Sequence, residues 1–169
     1  VLSIHPDNPQ QRLLDKASRI LERGGVAVFP TESGYTLGCM QGSKEAIERI
    51  RQIRNLDKNH HFTLLCRDLS ELSTYARVSN ATFRLLKAHT PGPYTFILMA
   101  TKSVPRRLQH PNRRTIGLRV TDATILRALL ATIDEPLLSV SLFSASDDEE
   151  KVGDADWEAI MEKKVDLMI

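Results

Sequence analysis

Apolar residues recur at helical spacing over residues 10–23, where Leu13, Leu14, Ala17, Ile20 and Leu21 fall on one face. Gly24 and Gly25 follow and offer the left-handed stop on which helices commonly end. Residues 26–29 then read as a short buried strand closed by Pro30. Helix, glycine stop, strand and loop in such quick succession is the rhythm of an α/β protein. After a loop over residues 31–42, Ser43 caps a helix running to about residue 54, with Ala46, Ile47, Ile50 and Ile53 on one face. The continuous apolar run at residues 62–66 (FTLLC) reads as an interior strand. Ser79 and Asn80 can cap a helix over residues 81–88, and strands are expected over 94–100 and 115–120. A helix beginning at Thr121 or Asp122 and running to residue 130 comes next, then a strand over 137–142. Residues 144–154 are acidic and read as a solvated loop; a helix over 157–164 and the start of a strand at 165–169 close the sequence.

Composition changes this picture little. The chain of 169 residues is 41% hydrophobic and 26% charged, ordinary for a globular fold and unlike a disordered one. Its net charge of +2 does not by itself imply nucleic-acid binding, but the charge is uneven. Arg106, Arg107, Arg113 and Arg114 crowd one stretch, and Asp147, Asp148, Glu149 and Glu150 crowd another. Cys39 and Cys66 lack CxxC or Cys–His zinc spacing and read as reduced thiols. No apolar run approaches the roughly 20 residues of a membrane span, and no signal peptide is recognisable, so a soluble, cytoplasmic protein is expected. Val1 is not an initiator methionine, which suggests a trimmed chain.

Five segments carry candidate chemistry. FPTESGYTLG leaves the first strand, brings the hydroxyls of Thr31, Ser33 and Tyr35 close together and carries two glycines, where α/β sheets place ligands; it equally suits an ordinary strand exit. Arg51, Arg54 and Lys58 either offset a helix dipole or bind phosphate. The adjacent His60 and His61 would point to opposite faces of an extended chain, which argues against a shared metal site. The turn HTPGPYT is rigid and brings Thr95 to the start of a strand. In RRTIGLRV, Arg119 ends an apolar strand, fitting either an anion site or a basic edge that blocks strand-to-strand aggregation. In LSVSLFS, Ser139 and Ser141 share a strand face, without the Gly-x-Ser-x-Gly elbow of a hydrolase. A P-loop and the Gly-x-Gly-x-x-Gly fingerprint are also missing, so any nucleotide needs another scaffold.

Taken in order, FPTESGYTLG, the basic helix end, TPGPYTFIL, TIGLRV and PLLSVS resemble the YrdC-like family, which includes threonylcarbamoyl-AMP synthase. The opening IHPDNPQQR and the segment CRDLSELSTYA resemble its YciO branch. The resemblance covers nearly the whole chain. It implies one α/β (α+β) domain over residues 1–169, with three layers and a twisted mixed parallel/antiparallel sheet carrying helices on both faces. The family also continues past Ile169, so its C-terminal segment is expected to be missing here.

In the family's synthases, threonine and bicarbonate form a carbamate that attacks the α-phosphate of ATP, with Mg²⁺ accompanying the nucleotide. By resemblance Thr31, Ser33, Tyr35 and Arg119 would meet the substrate, and Arg54, Thr95, Thr115, Ser139 and Ser141 the nucleotide or its phosphates. Arg106, Arg107, Arg113 and Arg114 would meet RNA. Two positions depart from the synthase pattern: Leu56 replaces the second cation of Lys-x-Arg, and Phe143 replaces the amide of Ser-x-Asn. The expectation is therefore a nucleotide- and RNA-binding protein, taking ATP or an AMP-like nucleotide and double-stranded RNA or tRNA in a basic cleft. The alternative is an active threonylcarbamoyl-AMP synthase.

Overall fold

The computed structural model describes residues 1–57, 60–142 and 156–169. Its strands are β1 (Ala27–Thr31), β2 (Gly34–Met40), β3 (Thr63–Cys66), β4 (Phe96–Met99), β5 (Thr115–Val120), β6 (Leu137–Ser141) and β7 (Leu167–Met168). They form one sheet in the order β4-β5-β3-β6-β2-β1-β7. The β3–β5 and β1–β7 pairs are parallel and the others antiparallel, which makes the sheet mixed. The helices are α1 (Gln11–Glu22), α2 (Lys44–Arg54), α3 (Leu69–Tyr75), α4 (Asn80–His89), α5 (Thr124–Ile133) and α6 (Asp156–Lys164).

Strand alternation divides the core into two apolar layers, so the three-layer expectation holds. Leu37, Leu64, Leu118, Leu138 and Val140 face one way and pack with Ala46, Ile47 and Ile50 of α2, Leu72 of α3 and Leu86 of α4. Phe29, Leu65, Leu137 and Leu167 face the other way and pack with Leu14, Ala17 and Leu21 of α1 and with Leu126, Leu129 and Leu130 of α5.

Local chemistry explains most element ends. Gly24 holds φ +89, and the N–H of Gly25 bonds to the carbonyl of Ile20, as the sequence predicts for the end of α1. Ser43 and Ser79 cap α2 and α4 through the N–H groups of Ala46 and Thr82. β3 lies between β5 and β6, as its apolar run predicts. Helix α3 was not apparent in the sequence; it is short and capped by Asp68 through the N–H of Glu71. Helix α5 starts at Thr124, three residues after Thr121, whose buried hydroxyl instead accepts the N–H of Ala123. The acidic run and Phe143 lie outside the described residues.

The main correction concerns residues 31–42. Strand β1 passes through Pro30, reverses over Glu32 and Ser33, and returns as β2 inside the sheet. Pro30 is tolerated because Val26 and Val28 offer their carbonyls to the β7 side, so the missing N–H of residue 30 points beyond the end of β7. Two glycines disguised β2 as a loop. At Gly38, however, a Cβ would lie 2.5 Å from the ring of Phe29, so only glycine fits. Gly38→Ala is expected to destabilise the protein by about 1–3 kcal/mol through overpacking; a urea midpoint that does not move would show that Phe29 can yield.

Candidate functional site

The sheet face under α1 and α5 changes character from one registered row to the next. The row beneath the helices runs Met40–Leu137–Leu65–Arg119 across β2, β6, β3 and β5. The next row is Gly38–Ser139–Thr63–Gly117, which continues to Ile97 on the edge strand β4. Beyond it, Thr36 pairs with Ser141, and Thr115 with Met99. Large apolar side chains give way to glycine and hydroxyls where the helices end. The result is a cavity of about 340 Å³ with a hydroxyl floor.

Thr36, Thr63, Ser139 and Ser141 furnish that floor, and Thr31, Thr95, Arg54, His60, His61 and Arg119 surround it. Thr36 donates to the carbonyl of Val140 and Ser139 to that of Thr63, at 2.9 and 3.2 Å, so both hydroxyls are held by the sheet. At Gly117 a Cβ would come within 2.7 Å of the Thr63 hydroxyl, so glycine keeps this part of the floor open.

Arg119 dominates the electrostatics. Its side chain is 10% exposed, and Nη2 donates to Glu32 Oε1 at 2.7 Å and to Ser33 Oγ at 2.9 Å. Glu32 Oε2 accepts the hydroxyl of Thr121 at 3.1 Å. Among the described residues the buried Nε of Arg119 has no hydrogen-bond partner. Burial pushes the Glu32 carboxyl up, but its backbone N–H, Arg119 and Thr121 outweigh that effect and hold it below the usual value of 4.5. β5 is flanked by β4 and β3 and Arg119 is buried, so the reading of a solvated basic edge does not hold. The anion it meets within the chain is Glu32.

Arg54 reaches the cavity from the last turn of α2, which Asn55 ends in the left-handed conformation. Its Nε donates to the carbonyl of Ser141 at 2.7 Å. Burial, then the charge of Arg54, holds the His60 imidazole below its usual value. Burial, then His110 and Arg113, does the same for His61. The two histidines do not diverge, because the chain there is not a strand: both line the cavity. His61 meets the Thr115 hydroxyl at 3.0 Å and stacks on His110 with ring centres 4.6 Å apart. Among the described residues no group of three His, Cys, Asp or Glu could hold a metal ion.

Of the residues singled out by sequence, Thr31, Arg54, Thr95, Arg119, Ser139 and Ser141 meet at this cavity. Ser33 and Thr115 sit behind its wall, bonded to Arg119 and His61. Tyr35 faces away and lines a separate depression with Glu158 and Met168. Arg106, Arg107, Arg113 and Arg114 are outside the cavity lining. Sequence reasoning missed Glu32, Thr36 and Thr63. Glu32 lay inside a quoted motif, and the spacing of Thr36 two residues before Gly38 would have shown a shared face had β2 been recognised as a strand. Leu56 lies outside the cavity too, in a depression with Arg51 and Arg107. Cys39 and Cys66 are free and buried; burial pushes the Cys39 thiol up to about 12 and raises Cys66 as well, so both stay protonated. Among the described residues no helix is long and apolar enough to cross a membrane.

The profile of the Sua5/YciO/YrdC family, described as telomere recombination, matches residues 19–169. An uncharacterised protein of Haemophilus influenzae is 56% identical over 169 residues, covering 98% of this chain and 81% of that protein. A threonylcarbamoyl-AMP synthase of Nitrosococcus oceani is 36% identical over 126 residues, covering 74% of this chain and 68% of the synthase. The crystal structure of Escherichia coli YciO superposes with a TM-score of 0.89 at 53% identity, covering 98% of this chain and 81% of that one. Sua5 of P. abyssi, solved with L-threonine, gives 0.79 at 20% identity over 96% of this chain and 47% of its own, a likeness of fold.

The lowered carboxyl of Glu32 stabilises the protein wherever it is ionised. Wild type is therefore expected to exceed Glu32→Gln in stability by a constant margin well above the ordinary carboxyl value of 4.5, and to lose that margin as pH falls through the lower folded value. Urea midpoints of both proteins at neutral and acid pH check this; a margin that does not depend on pH would contradict it.

Proposed function

The chain belongs to the Sua5/YciO/YrdC family, and we propose that within it the protein binds a nucleotide in the hydroxyl-floored cavity and RNA on its basic surface. The observation that carries the nucleotide reading is the buried, unpartnered Nε of Arg119 at a cavity that Arg54 also lines. An unsatisfied buried donor costs about 1–3 kcal/mol, and more on a charged group. A phosphate or carboxylate oxygen would relieve that cost. The cavity volume, about 340 Å³, lies within the roughly 300–1,000 Å³ typical of small-molecule sites. Thr36, Thr63, Thr95, Ser139 and Ser141 add hydroxyls that can follow a phosphate or a ribose.

The relationship to a threonylcarbamoyl-AMP synthase and to a Sua5 solved with L-threonine supports ATP or an AMP-like nucleotide beside an amino acid. Arg119, with Ser33 hydrogen-bonded to it, would take the carboxylate, and Arg54 with the β6 hydroxyls the phosphates. Magnesium would arrive on the nucleotide phosphates, since the described side chains offer no ligand cluster of their own. Turnover is disfavoured because Arg54 is the one arginine or lysine lining the cavity that makes no ion pair among the described residues; Leu56, where the synthases carry a second cation, lies outside the lining. A missing charge that stabilises developing phosphate charge costs several kcal/mol of barrier.

Binding without synthesis is the expected behaviour. Calorimetry should show Mg–ATP binding that Arg54→Ala weakens at least tenfold. Pyrophosphate release from ATP with bicarbonate should not respond to threonine. Threonine-dependent release would establish the synthase reading instead, and absence of any ATP binding would remove the nucleotide from the cavity.

A further inference from the structure

Charge is segregated along the chain more sharply than a net +2 suggests. Between Leu72 and Thr121 there are nine lysines and arginines and no aspartate or glutamate. This acid-free stretch builds α4, β4, β5 and the short 3-10 turn Arg106–Leu108. Folding gathers five of the nine, with Arg51 of α2, around two adjoining depressions of about 480 and 610 Å³, which share Arg106 and Gln109. Arg51 and Arg107 line the first, and Arg77, Lys102 and Arg114 the second. Asp57 is the one carboxylate among these lining residues.

We infer that these depressions form a groove for the phosphate backbone of RNA, a site distinct from the cavity. The inference rests on RNA being the macromolecular partner, and assigns where and by which chemistry it is held. Arginine dominates the groove, and its planar fork matches phosphate oxygens two at a time. Two of the arginine side chains, Arg51 and Arg107, are already held in place, and so is the backbone of a third, Arg114. Arg51 lies 4.7 Å over the Phe62 ring and donates to the carbonyl of Asp57 at 3.3 Å. Arg107 reaches the carbonyls of Gln41 and Gly42 at 3.4 and 3.5 Å. Arg114 holds φ +55, a conformation non-glycine residues avoid, fixed by backbone bonds to His110 and Ala100. None of the groove cations takes part in the ion pairs found among the described residues. Pre-placed cations that make no ion pair among the described residues lower the ordering and desolvation cost of binding a polyanion. An open groove of several cations suits a chain of phosphates, whereas the cavity suits a single small ligand.

Residues 109–111 separate the two sites. Gln109 and Pro111 line the groove, while His110 turns the other way and stacks on His61 in the cavity wall. A backbone lying in the groove would leave the cavity accessible. Of the four arginines expected to meet RNA, Arg106, Arg107 and Arg114 are in the groove and Arg113 is outside its lining.

The test is fluorescence anisotropy with a short labelled RNA duplex, between about 50 and 200 mM salt. The paired change Lys102→Glu with Arg106→Glu alters two exposed side chains, so an unchanged melting temperature is expected alongside. That protein should bind RNA at least tenfold more weakly, with a shallower salt dependence, and bind Mg–ATP as wild type does. Arg54→Ala should do the reverse. If Arg54→Ala abolishes RNA binding and the groove variant does not, RNA lies in the cavity and the groove assignment fails while RNA remains the partner. If wild type binds no duplex even at low salt, RNA is not the partner and the groove assignment falls with it. A DNA duplex bound equally well assigns recognition to the shared phosphate backbone; a polyglutamate peptide bound equally well overturns the phosphate assignment.

Discussion

The ion pair of Arg119 with Glu32 joins three parts of the molecule that the sheet alone does not. Arg119 is the last but one residue of β5, on the row that separates the helix-covered apolar face from the hydroxyl floor. Glu32 lies in the turn between β1 and β2, and Thr121, bonded to the other carboxylate oxygen, leads into α5. A guanidinium this buried is tolerated only with a counter-charge and hydrogen bonds. Glu32 supplies both, and its own carboxyl is held ionised in return. The turn, the end of β5 and the start of α5 are thus fixed around one charged contact that leaves Nε a buried donor without a partner among the described residues.

The cavity follows from side-chain size along the strands. Helices α1 and α5 cover the rows with leucine, phenylalanine and alanine. Where they end, a face of large apolar residues would be exposed to water, and the sequence substitutes glycine, serine and threonine there. The opposite face carries no such change, because α2, α3 and α4 pack along it through one apolar cluster. The same rows continue onto β4, where Ile97 and Met99 are exposed on the cavity side while Phe96 and Leu98 pack inward. The edge strand alternates for this reason.

Much of the fold was legible because its signals are local. Ser43, Ser79 and Gly24 announce their helix ends, and the run FTLLC announces a strand buried on both faces. β2 was hidden because its glycines, which read as turn residues, answer to Phe29 on the neighbouring strand, a contact that no local pattern records. The site was legible in parts for the same reason. Arg54, Arg119 and the serines of β6 stood out as polar residues on apolar elements. Glu32 did not, since its role depends on a residue 87 positions away in the sequence. The histidines misled because the alternation rule was applied to a segment that is not a strand. The basic stretch was visible as composition, but only folding shows that most of it faces a groove beyond the cavity wall.

The claim on which the functional account turns is that Arg119 Nε awaits an acceptor from a ligand. Nitrogen-15 NMR of the arginine Nε–H groups during a titration with Mg–ATP and L-threonine addresses it directly. The Arg119 resonance, assigned by its loss in Arg119→Lys, is expected to shift and its proton to exchange more slowly once ligand is bound. A resonance that stays unmoved while ligand binds elsewhere would place recognition outside this cavity and contradict the account.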